Sequence, residues 1–184
     1  NELVKILDDW NFWNKKLDTG IARKIYLDKL KKALPSEQVK VIIGARRSGK
    51  SYIMRQFAWH LIEKENVNKD NILMVNFEDP RFAELDTKLL DRLFEAYLEH
   101  RSPRGKIYLF LDEIQEVPRW EKWVRAAQEL KKADMIISGS NAKLLSGELA
   151  TVLTGRHLDI TVMPLSLREF LDFRGIVIEE NDFY

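Results

Sequence analysis

Apolar residues come along this chain in short unbroken runs, and between the runs they recur at helical spacing. Residues 39–43, 71–77, 106–111, 135–137 and 158–162 are rich in Val, Ile, Leu and Phe, and they predict five strands. Between them, Ile53, Met54, Phe57, Leu61 and Ile62 mark a helix, as do Leu85, Leu89, Leu90, Leu93, Phe94, Tyr97 and Leu98. Trp120, Trp123, Val124, Ala127 and Leu130 mark another, and residues 142–153 predict a broken helical stretch. Ahead of the first strand, Ile21, Ile25, Leu27, Leu30 and Leu34 form a rough amphipathic stripe that Pro35 stops. Before it, Trp10, Phe12 and Trp13 are too apolar to be left in water, and either pack on the core or dock on a neighbour. Strands alternating with helices imply an α/β fold, a mostly parallel five-stranded sheet covered on both faces. The expected organisation is an N-terminal aromatic and helical segment over 1–35, a core over 36–174 and the start of a further region over 175–184.

The turn after the first strand carries the strongest chemical signal. Gly44-Ala45-Arg46-Arg47-Ser48-Gly49-Lys50-Ser51 reads G-x-x-x-x-G-K-S, between a predicted strand and a helix opening at Tyr52. In that context the glycines let successive N–H groups turn inward, where the positive end of the helix dipole also points. Gly44, Ala45, Arg46, Arg47, Ser48, Gly49, Lys50, Ser51 and Tyr52 are therefore the expected nucleotide-binding residues, in a three-layer phosphate-loop NTPase core. Lys50, expected on an exposed loop and supporting no core, would reach the β- and γ-phosphates. The Ser51 hydroxyl would ligate Mg²⁺. The competing explanation is an accidental glycine-rich turn.

The run at 106–111 lacks alternation, as befits a strand buried on both faces, and ends in Asp112-Glu113. Carboxylates at the carboxyl end of a parallel strand stand where such sheets place ligands. Asp112 is the expected partner of Mg²⁺, usually acting through water, and Glu113 the general base that polarises the attacking water. The alternative is an acidic pair that caps the next helix.

Taken in order, the loop at 44–51, Leu109-Phe110-Leu111-Asp112-Glu113-Ile114-Gln115, Ile137-Ser138-Gly139-Ser140-Asn141 and Leu153-Thr154-Gly155-Arg156 resemble the AAA+ ATPases. Asn11-Phe12-Trp13, Val75-Asn76-Phe77-Glu78-Asp79-Pro80-Arg81 and Pro164-Leu165-Ser166-Leu167-Arg168-Glu169-Phe170-Leu171 narrow the match to ATPases abundant in archaea, of the additional-strand, catalytic-glutamate class. The resemblance spans about residues 10 to 172; Leu167 departs from it, standing where an aromatic residue is expected. It implies a first sensor at Ser140 or Asn141, touching the γ-phosphate or the attacking water. One of the two could instead cap the following helix. It implies that Ile21, Arg23 and Tyr26 lie near the adenine. It also places Arg156 where such proteins project an arginine finger into a neighbouring subunit, making a homo-oligomer the expected form. The alternative is a surface arginine paired with Asp159. A helical lid would normally follow, and it is expected to be absent or truncated here. The implied activity is Mg²⁺-dependent ATP hydrolysis that drives conformational change in a partner; the alternative is a slow-hydrolysing nucleotide-dependent switch.

Composition narrows the setting. The 184 residues suffice for one domain with a hydrophobic core, at 45% hydrophobic and 32% charged. Thirty basic residues are offset by 29 acidic ones, a net charge of +1, so direct DNA binding by this segment is unsupported. With no cysteine, neither disulfides nor thiolate metal sites are available. No run approaches the length of a membrane helix and no signal peptide is visible, so a cytoplasmic location is expected.

Overall fold

The computed structural model describes residues 2–140, 153 and 155–176. The elements in chain order are α1 (Glu2–Trp10), α2 (Lys24–Ala33), β1 (Val39–Gly44), α3 (Lys50–Lys64), β2 (Ile72–Asn76), α4 (Thr87–Arg101), β3 (Tyr108–Asp112), α5 (Trp120–Glu129), β4 (Asp134–Gly139), β5 (His157–Val162) and α6 (Leu167–Phe173). The strands form one sheet in the order β2-β3-β4-β1-β5, and every pairing is parallel. Strand β4 therefore separates β1, which feeds the glycine loop, from β3, which ends in Asp112. All residues of β1 and β3 are buried, whereas β5 at the sheet edge alternates, with Ile160 and Val162 inward and Asp159 and Thr161 exposed.

Alternation along the strands splits the core into two layers. Val39, Val41, Ile43, Leu109, Leu111 and Ile137 pack with residues of α1, α4 and α5. Ile42, Phe110, Ile136 and Ile160 pack with residues of α2 and α3 on the other face. The N-terminal aromatic segment joins both layers: Trp13 is buried in the first and Phe12 in the second. It also seals the outer edge of β2. Buried Asn11 donates to Met74 O at 2.9 Å and accepts from Met74 N–H at 2.7 Å, while Trp13 Nε1 donates to Ile72 O at 2.9 Å. Side chains thus fill ladder positions that an edge strand would leave open.

The predicted stripe before Pro35 is displaced. Helix α2 begins at Lys24 and buries Tyr26, Leu30 and Ala33, leaving Ile21 and Ile25 exposed. Arg23, with non-helical φ −94° and ψ 82°, gives its backbone N–H to Gln56 Oε1, so the helix cannot extend back to Ile21. Leu85 precedes α4, and Leu130 beyond α5 is exposed. The predicted helical stretch at 142–153 lies, apart from buried Leu153, outside the described residues.

Candidate nucleotide-binding site

The glycine loop leaves the carboxyl end of β1 at the middle of the sheet, and its two glycines are required for different reasons. A Cβ at Gly44 would lie 2.5 Å from Val162 O and 2.6 Å from Ser48 Oγ, so only the absence of a side chain lets the loop pass the end of β5. Gly49, at φ +94°, holds the left-handed turn that starts α3. No side chain caps that helix. The N–H groups of Gly49, Lys50, Ser51 and Tyr52 are the four that an α-helix cannot satisfy internally. The Ser48 hydroxyl is enclosed in the loop without a hydrogen-bond partner among the described residues. Uncapped amides, an orphaned hydroxyl and a buried ammonium are the donor set that an anionic phosphate chain fits. Ala45, Arg46 and Arg47 are exposed on the outer turn, where Arg46 pairs with Glu78 at 3.3 Å. The Tyr52 side chain points away from the loop, its ring against Gly20 and its hydroxyl donating to Asp18 Oδ2 at 3.3 Å. Only its backbone belongs to the site.

Lys50 is not the exposed loop residue the sequence suggests. It is 4% exposed, with Nζ 3.0 Å from Glu113 Oε1 and donating to the carbonyls of Gly44 at 3.2 Å and Ala45 at 3.3 Å. The reason is topological: β4 holds β1 and β3 one strand apart, close enough for a lysine after one to meet a glutamate after the other. Asp112 is also buried, and its carboxylate accepts hydrogen bonds from the Ser138 and Ser51 hydroxyls. Burial pushes the Asp112 carboxyl above the ordinary carboxylate range, and the adjacent Glu113 charge adds to the effect; the two hydroxyls oppose it. A cation shared with Ser51 would relieve that penalty, so Ser51 and Asp112 fit a divalent ion that takes its remaining ligands from phosphate and water. Glu113 itself holds a left-handed conformation, φ 53°, and its side chain does not cap the turn that follows.

Within the sequence pattern Ser138-Gly139-Ser140-Asn141, Ser138 had no expected role. Fully buried in β4, it accepts from Glu113 N–H at 3.1 Å and donates to Asp112 Oδ1, tying the acidic pair to the neighbouring strand. A lone hydroxyl directly after the apolar run Met135–Ile137 was the available signal. Ser140 is half-buried just past the strand, and Asn141 lies outside the described residues.

Arg23 was expected near a nucleotide base, and its actual contacts are more specific. It is 6% exposed and donates to Ser48 O in the glycine loop at 2.8 Å, to Met163 O after β5 at 3.1 Å, and to Glu169 of α6 at 2.8 Å and 3.1 Å. The Tyr26 hydroxyl accepts from Met163 N–H at 3.0 Å. Arg23, Tyr26, Met163 and Glu169, with Pro164 and Phe173, line a cleft of about 580 Å³. Ile21 is exposed and is not among the cleft's lining residues.

Arg156 stands at the opposite end of the sheet. It precedes β5, whose first residue pairs with Val39 and whose last pairs with Gly44, so a strand's length of about 20 Å separates it from the loop. Its guanidinium donates to Glu129 Oε1 at 2.6 Å, not to Asp159, which sits 3.6 Å from His157. Asp159 is carried on the exposed face of β5, whereas Glu129 ends the helix beside Arg156.

The chain matches the AAA domain family over residues 36–171 and belongs to it. An uncharacterized protein of Haemophilus influenzae is 40% identical over 157 residues, 85% of this chain and 38% of that protein. One from Methanocaldococcus jannaschii is 37% identical over 150 residues, 82% of this chain and 32% of the other. The chain thus spans about a third of the length of these curated relatives. Among solved structures, C. elegans PCH-2 superposes with a TM-score of 0.50 at 16% identity, covering 98% of this chain and 53% of that one. At that identity the likeness concerns the fold. Family and architecture together support a nucleotide-binding, ATPase-type domain. Among the described residues, no helix is long and apolar enough to cross a membrane.

Proposed function

We propose that this chain is the ATP-hydrolysing core of an AAA+ protein of the additional-strand, catalytic-glutamate class, driving conformational change in a partner. One observation carries the reading: the 3.0 Å contact between Lys50 and Glu113, which brings the phosphate loop and the acidic pair into one site. The class is supported by β4 lying between β1 and β3, and by the glutamate that follows Asp112. Residues 36–174 form the catalytic core in this reading, with 1–35 as its N-terminal brace.

The amides of Gly49 to Tyr52 would cradle the phosphates, with Lys50 turning from Glu113 toward the β- and γ-oxygens. A divalent cation held through Ser51 and Asp112 would supply charge neutralisation on those oxygens. Glu113 takes a proton from water; the resulting hydroxide bonds to the γ-phosphorus as the bridging P–O bond breaks. ADP leaves with that electron pair. The base is assigned to the cleft beside Arg23, Tyr26 and Met163, which adjoins the loop. Arg156 cannot reach its own loop, and we assign it to a neighbouring subunit's site.

The test separates binding from chemistry. Glu113→Gln keeps shape and hydrogen bonding but removes the base, so ATP affinity should persist while turnover falls by about 10²-fold or more. Equal loss of both would make Glu113 structural.

A further inference from the structure

The carboxylate of Glu113 is held at both oxygens. Lys50 Nζ lies 3.0 Å from Oε1, and Gln115 Nε2 donates to Oε2 at 2.6 Å. Gln115 stands two residues on, in the short turn Ile114–Glu116, and reaches back to the side chain preceding that turn. The two holders differ in kind. Lys50 is required by the phosphates once a triphosphate is seated, and must leave Oε1. Gln115 has no such second duty: among the described residues its amide nitrogen makes one further contact, with Glu116 Oε1 at 3.4 Å. Its carbonyl oxygen is enclosed without a hydrogen-bond partner among the described residues, so the amide is committed to this orientation by the Glu113 contact. The Glu113 side chain makes no cap bond to the turn that follows, so Gln115 is what holds Oε2.

We propose that Gln115 is the positioning residue for the general base. It grips Oε2 throughout the cycle, while Oε1 exchanges Lys50 for the attacking water. The single anchor keeps Oε1 aimed at the space Lys50 vacates, beside the phosphate loop. A freely rotating carboxylate would spend most of its time elsewhere, and the loss would appear in turnover without appearing in binding.

This inference rests on the ATPase reading, and one set of measurements distinguishes their failures. Gln115→Leu keeps bulk and loses the donor; Gln115→Glu keeps length and loses it as well. Both should bind ATP with wild-type affinity in calorimetry, which also reports an intact site, and both should lose about 10-fold or more in kcat. The decisive arm is the Glu113→Gln background. A residue acting through Glu113 has nothing left to position there, so Gln115→Leu should not lower the residual turnover further. Wild-type kcat in both single variants would overturn the proposal alone. So would a parallel loss of ATP affinity, or an undiminished further loss in the Glu113→Gln background, each marking a general structural role. Absence of turnover in the wild-type full-length protein would overturn the ATPase reading and this inference together.

Discussion

At the scale of single residues, the site depends on what is buried more than on what is charged. Lys50 is a phosphate ligand in the proposed cycle, yet in this structure it also neutralises Glu113 in a pocket where both side chains are nearly enclosed. Removing one member of a buried ion pair strands the other charge. Lys50→Ala should therefore do two things: abolish MgATP binding, and lower the unfolding free energy without nucleotide by about 3 kcal/mol. Adding Glu113→Gln should return part of that stability while leaving binding lost. Calorimetry and denaturant titration read the two effects separately. Retained ATP affinity in Lys50→Ala would remove Lys50 from the phosphate site, and unchanged stability would show that the ion pair contributes nothing.

Among the elements, the contacts of interest tie the ends of the chain to its centre. Asn11 and Trp13 seal the β2 edge from the N-terminal side, and Trp10 Nε1 donates to Asp79 Oδ2 at 2.7 Å just beyond that strand. Asp79 is held far below the usual carboxylate range, chiefly by its hydrogen bonds from Arg81. Helix α6 buries none of its residues and is joined to the core through Glu169, which completes a capping box with Ser166 and pairs with Arg23. The Arg23 guanidinium, ahead of the Ser166 hydrogen bonds, depresses the Glu169 carboxyl from 4.5 to about 2. A depressed carboxylate stabilises the fold fully above its unfolded value, and the contribution disappears as pH falls through its folded value. Glu169→Gln should thus cost about 2 kcal/mol at neutral pH. The gap from wild type should close as pH falls from 4.5 toward about 2. Denaturant titrations of both proteins across that range give the difference directly. A gap independent of pH would mean that the carboxylate charge is not what holds α6.

For the whole molecule, the position of Arg156 bears on whether one copy would suffice for the proposed hydrolysis. It lies at the amino end of the sheet and the phosphate loop at the carboxyl end, so any role in catalysis belongs to another subunit's site. Arg156→Ala should leave ATP affinity nearly unchanged, while hydrolysis by the full-length protein falls by about 10³-fold. Wild-type specific activity should rise with protein concentration. Mixing Arg156→Ala with Glu113→Gln should restore some turnover, because certain interfaces then pair an intact base with an intact arginine. Activity independent of concentration, with no rescue in proven mixed assemblies, would leave Arg156 as the surface partner of Glu129.

What could be read from sequence was whatever depends on neighbours along the chain. The phosphate loop is eight contiguous residues whose dihedral demands fall on its own glycines, and strand and helix periods are equally local. Asp112 and Glu113 were legible as candidates because the end of a buried strand is where a parallel sheet presents its ligands. The remaining features depend on which strands become neighbours. That β4 would lie between β1 and β3 decided that Lys50 is buried against Glu113, and that Ser138 touches the acidic pair. Arg23 meets Glu169 across 146 positions of sequence, a contact that no local pattern encodes. The face buried by α2 was set in the same way. Ile21 and Ile25 are apolar enough for a core, but Gln56 holds the Arg23 backbone outside the helix, and α2 instead packs Tyr26 and Leu30 into the layer it shares with α3.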